Sequence, residues 1–198
     1  MKVEYEELLS KNYDEAVVFL LKKYGPATAD YYSEKSYNRF KAGEIKSIAK
    51  GKISRTSEGL YCHHIDEDKV IMISTQDVIK MLDIPYDYQR KERLVYCDLI
   101  EHGILHVLIA IENKNKSTLG TVGIGGYINF IRPELYLWFI MNEVPTATWR
   151  KNCYEKVYME KNEAIELLAK IDNFLVNNYQ ITHEMINEAT ENYFYKIR

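Results

Sequence analysis

Cysteine is scarce: the chain has three, Cys62, Cys97 and Cys153, with no C-x-x-C pair among them. That excludes a disulfide framework and a cysteine-based zinc knuckle, so reduced thiols are expected, with Cys62 and Cys97 packing as small apolar groups. Charge of one sign is scarce as well. A net charge of −3 gives no global attraction to nucleic acid, so any such surface must be local. No apolar run is long enough to span a bilayer, and the opening MKVEYEELLSKNYDEA lacks the basic-then-apolar layout of a signal peptide. A cytoplasmic protein with no membrane partner is the expectation. Repeats, low-complexity tracts and long linkers are also missing. The glycine-rich GTVGIGG, Gly120 to Gly126, has no Gly-Lys-Ser/Thr after it and does not match the dinucleotide spacing, so it reads as a tight turn that lets YINFIRPELYLWF pack closely.

What is present suits one globular domain over residues 1–198. Hydrophobic residues at 46% and charged residues at 28% argue for a packed core and against disorder. The 17 tyrosines are spread along the chain and read as packing groups. Apolar spacing predicts a helix over residues 5–24, stopped at Gly25-Pro26, and then helix and loop from about Tyr31 to Arg55. GLYCHHI and KVIMIS read as the two strands of a hairpin joined by Asp66, Glu67 and Asp68. A short helix, TQDVIKML, and a loop follow; Leu94 to about Asn113 reads as helix, and helices close the chain near Lys161 to Asn178 and Thr182 to Tyr195. The fold class is α+β, dominated by α. Residues 1–56 form an N-terminal helical, basic segment, 57–112 a hairpin-helix core, and 113–198 the glycine-rich turn and C-terminal helices.

The histidines are the informative feature. His63 and His64 are neighbours on a strand and point to opposite faces, so they cannot do the same job. His102 and His106 are one helical turn apart on one stripe, and Asp98, a turn earlier, is placed to orient a ring. A strand pair packed on that helix can bring His63, His102 and His106 together as neutral imidazole ligands for a divalent ion, with His64 adjacent as a proton acceptor. Asp66, Glu67 and Asp68 read as a solvated turn, although a carboxylate near a metal site can also bind.

His63-His64-Ile65, a loop, and then RLVYCDLIEHGILH from Arg93 to His106 resemble the HNH, or ββα-metal, nucleases, especially the colicin-DNase kind. The resemblance covers Gly59 to about Leu108, roughly a quarter of the chain. It implies a ββα-metal core in which His63, His102 and His106 hold a divalent metal (Mg, Mn, Ni or Zn). It also implies that His64 is the general base for attack on a DNA phosphodiester. Nine residues before the first helix histidine, where the family usually carries Asn, stands Arg93. An arginine there is either a fixed fork of donors for a phosphate or the mark of a site that no longer cuts.

A substrate surface has one candidate. Lys35, Arg39, Lys41, Lys46, Lys50, Lys52 and Arg55 lead into the hairpin with Glu44 as the one acid among them, a pattern that can track phosphates or simply form a solvated face. Two functions follow from the residues and the resemblance. One is a metal-dependent HNH-type DNA endonuclease of a phage, mobile element or restriction system. The other is a non-catalytic descendant, a binding or inhibitor protein with a protein partner, blocking a bacterial defence nuclease.

Overall fold

A computed structural model of the chain describes residues 3–116 and 122–197, so Gly120 and Thr121 of the glycine-rich stretch lie outside the described residues. The fold is α+β and mostly helical, with a two-stranded antiparallel sheet. The first amphipathic run divides into α1 (Val3–Leu9) and α2 (Tyr13–Tyr24). Asn12 causes the break: its side chain accepts from the Glu15 amide, and Glu15 accepts from the Asn12 amide, a reciprocal cap that starts a new helix. Gly25, at φ 77°, ends it.

After α3 (Glu34–Lys41) the chain runs as loop to β1 (Tyr61–His64). The expected hairpin with KVIMIS does not form. β1 pairs instead with β2 (Leu94–Cys97), His63 opposite Val95 and His64 opposite Leu94. The acidic turn is the reason: Ile65–Asp68 winds into a short 3-10 helix whose Asp66 is buried and held by Lys69 and Arg93. Met72 then adopts φ 54°, which turns the chain away from β1 towards α4 (Gln76–Met81). The pairing waits until the chain returns at Leu94.

The expectation of a helix from Leu94 is corrected in the same place. Leu94–Cys97 is buried strand, and α5 (Leu99–Asn113) starts only after Asp98, whose carboxylate accepts from the Ile100 and Glu101 amides while Glu101 accepts from the Asp98 amide. Eleven of the fifteen residues of α5 are buried, so it is the central helix of the main core and a stiff platform for whatever it carries. Against it pack α1, α2, the single turn α6 (Ile124–Gly126), the π-helical turn Tyr127–Ile131 and α9 (Lys161–Asn178). The remaining helices are α7 (Arg132–Phe139), α8 (Thr148–Lys156) and α10 (His183–Ile197). A buried network of Arg132, Asp172, Tyr127 and Thr190 ties the π-helical turn and α7 to α9 and α10. A smaller apolar cluster, built on Tyr32, Tyr37, Phe40, Ile48, Ile79 and Ile84, joins α3 to α4. Among the described residues no helix is long and apolar enough to cross a membrane.

Candidate metal centre

β1 alternates, so it aims His63 at α5 and His64 away from it. On α5, His102 and His106 stack one turn apart and face His63. The ring centroids of His63 lie 5.1 Å from His102 and 5.4 Å from His106, which are themselves 4.8 Å apart. One nitrogen of each ring lies within 4.8 Å of the other two. The 3-10 turn after β1 adds a fourth group: Glu67 Oε2 stands 3.6 Å from His63 Nδ1 and 3.6 Å from His106 Nε2.

Tyr13, at the start of α2, decides the protonation of His63. Its hydroxyl lies 2.7 Å from the Ile65 carbonyl and 2.9 Å from His63 Nε2. A carbonyl can only accept, so the single hydroxyl proton goes to Ile65, and His63 Nε2–H must be the donor to the tyrosine oxygen. The lone pair of His63 is then on Nδ1, which is buried, has no hydrogen-bond partner among the described residues and faces Glu67 at 3.6 Å. A buried acceptor left so costs about 1–3 kcal/mol.

His106 is held from behind by backbone. A Cβ on Gly126 would lie 2.5 Å from the Cε1 and Nδ1 atoms of its ring, so only glycine lets α6 lie flat against the imidazole. At Gly123, φ is +84° and a Cβ would meet the His106 carbonyl at 2.5 Å. The expected close packing at the glycine-rich stretch therefore falls on a candidate ligand.

Burial sets the charge state. Loss of solvent pushes His63 and His102 well below the ordinary imidazole range, and the neighbouring imidazoles push the same way. His106 falls to about 4 for the same reason, partly offset by the Gly123 backbone. Burial raises Glu67 to about 7. Neutral imidazoles are the metal-binding form, and the donor set of three imidazoles, one carboxylate and no thiol fits a divalent transition ion.

The structure does not bring the other expected residues to this cluster. His64 is 2% exposed, on the opposite face of β1: its Nε2 lies 3.1 Å from Gln89 Oε1, Gln89 in turn donates to the Ile73 carbonyl, and the Tyr31 ring covers the imidazole at 4.4 Å. Burial lowers it to about 4, against the pull of Gln89. Asp98 does not orient a histidine. Its carboxylate is consumed by the helix cap and by the Tyr5 hydroxyl, which donates at 2.9 Å. Arg93 is also engaged elsewhere, its Nη1 donating to both oxygens of buried Asp66 at 3.0 and 3.1 Å.

The basic segment is partly neutralised within the fold. Arg39 pairs with Glu44, Lys41 with Asp83 and Arg55 with Glu58, while the Lys50 ammonium sits over the Tyr31 ring. Lys35, Lys46 and Lys52 have no ion pair among the described residues. Sequence reasoning missed Tyr13, which is 50 residues from His63 and carries no local signal, and gave Gly126 no part in the site. No protein-family model matches the sequence, no curated protein matches it, and no solved structure matches the fold.

Proposed function

We propose that this chain is a metal-dependent endonuclease of the HNH, or ββα-metal, type that hydrolyses phosphodiester bonds in DNA. One observation carries the reading: His63 from β1 converges with His102 and His106 from a helix that directly follows the antiparallel partner strand. Strand, strand, helix, with paired histidines on the first and an i, i+4 pair on the last, is the order that the resemblance to colicin-DNase-type enzymes implies. The unpartnered lone pair of His63 Nδ1 supports a cation in particular. Imidazole donors suit Zn or Ni better than Mg, which prefers oxygen.

When bound, a divalent ion would supply positive charge for the phosphate and leaving oxygens. The protein's own residues have distinct tasks. His63, His102 and His106 would hold the ion, Tyr13 holds His63, and Lys35, Lys46 and Lys52 remain for the DNA backbone because no ion pair among the described residues uses their charge. The general-base role that the resemblance gives His64 requires its ring to leave Gln89 and Tyr31 and to reach the α5 side of β1, where the three other histidines meet.

That last requirement favours a second reading. With His64 satisfied on the far face and Arg93 bound to Asp66, the same site suits a non-cleaving relative that keeps the metal as scaffold. Such a chain would act by binding, as an inhibitor of a bacterial defence nuclease. A plasmid-nicking assay with Mg, Mn, Ni or Zn separates the two. Nicking by the parent that is lost in both His102→Ala and His64→Ala supports the nuclease. Failure to nick with every metal, or nicking indifferent to His102→Ala, rejects it, and bound metal without nicking selects the second reading.

A further inference from the structure

The three histidines leave open which nitrogens face an ion and what completes its shell. We infer that the donor set is His63 Nδ1, His102, His106 Nε2 and the Glu67 carboxylate, and that Tyr13 is a positioning residue that fixes His63 in the tautomer able to ligate. The inference rests on the reading of this cluster as a metal site, and it adds two residues that the resemblance does not include.

Tyr13 has one proton and two neighbours. The Ile65 carbonyl at 2.7 Å must accept it, which obliges His63 to donate from Nε2 at 2.9 Å and leaves Nδ1 as the only lone pair of that ring. Ile65 lies directly after β1, and Tyr13 opens α2, so one hydroxyl also ties the strand end to the helix. A ligating histidine whose other ring nitrogen is held in this way loses neither orientation nor tautomer.

Glu67 is assigned by distance. At 3.6 Å its contacts to His63 Nδ1 and His106 Nε2 are too long to be hydrogen bonds, yet the carboxylate is turned inward with its side chain only 18% exposed. Donors sharing one tetrahedral ion, with bonds of about 2.0–2.1 Å, stand about 3.4 Å apart, close to what is observed on both sides of Glu67. A carboxylate that reached the ion only through a water would stand farther from the ligand nitrogens. His106 is assigned Nε2 because that nitrogen faces Glu67; Gly126 packs against both nitrogens of the ring and does not choose between them.

The test begins on the unaltered chain. Long-range ¹H–¹⁵N correlation of the imidazoles should show His63 protonated at Nε2 before metal is added, with the Nδ1 resonance moving when zinc is titrated in. Zinc titration of variants then reads each role. Tyr13→Phe and Glu67→Gln should each weaken zinc by roughly 10- to 100-fold, Glu67→Asp should recover part of the loss, and Tyr13→Phe should leave His63 in mixed tautomers. A cobalt absorption band changed by Glu67→Gln would mark the carboxylate as a donor. If the parent takes up neither zinc, nickel nor cobalt, the metal reading itself fails and this inference with it. If the parent binds and His102→Ala does not, two results overturn the inference alone: His63 protonated at Nδ1, or Glu67→Gln binding zinc as tightly as the parent with an unchanged cobalt band. The tautomer measurement decides the Tyr13 part even if a variant fails to fold.

Discussion

His63 and His64 are adjacent, nearly equally buried and both driven towards the neutral form by burial, yet the two faces of β1 treat them differently. His64 ends in a closed chain of partners, Gln89 and then the Ile73 carbonyl, under the Tyr31 ring. His63 has one nitrogen fixed by Tyr13 and the other left bare among two more imidazoles and a carboxylate. The difference teaches that burial of an imidazole does not identify a ligand. A satisfied histidine is core; a buried lone pair with nothing to accept, set beside two more imidazoles and a carboxylate, asks for a cation.

Substitutions on either side of the strand should separate the two faces. His63→Ala or His102→Ala is expected to lower zinc affinity by roughly 100-fold or more, beyond the effect of losing a supporting residue, as read by isothermal titration. Metal removal comes next. Zinc at 100 times its Kd stabilises by about 2.7 kcal/mol, so a chelator should lower the melting temperature by about 5–10 °C in the parent, and by the same amount in His64→Ala. His64→Ala itself should cost about 1–3 kcal/mol in denaturant unfolding by stranding Gln89, while zinc affinity stays at the parent value. Gly126→Ala sharpens the picture from the other direction: no donor is removed, but the methyl collides with the His106 ring, so zinc should weaken by about 10-fold with helix content unchanged in circular dichroism.

The smallest effect is on pH. His64 is lowered to about 4 in the fold from its ordinary 6.5, so the fold favours its neutral form. That contribution is fully present above 6.5 and is lost as pH falls towards 4. Between pH 7 and pH 6 the loss should be under about 1 kcal/mol, and His64→Ala should flatten this part of the stability profile.

Much of the site was legible because helical spacing is local. His102 and His106 share a stripe on any α-helix, and His63 and His64 oppose each other on any strand. The long closing helix was legible too, and α9 runs over Lys161–Asn178 as its apolar period indicates. The strand partner was not. LVYC and KVIMIS are both β-rich, and the choice between them was made at long range by burial of Asp66 with Arg93 and by the left-handed turn at Met72. The apolar stretch from Leu94 to Asn113 reads as one helix because periodicity does not divide a buried strand from a buried helix. The Asp98-x-x-Glu101 pattern is nevertheless a capping box, and it held the true helix start. Tyr13 had no such local mark, since its role exists only once α2 lies against the end of β1.

A crystal grown with zinc and measured across the zinc absorption edge tests the central claim most directly. One anomalous peak per chain, bonded to His63 Nδ1, His102 and His106 Nε2, is the expected result. No peak among these three rings at full zinc occupancy elsewhere, or imidazoles turned to partner one another instead, would contradict it.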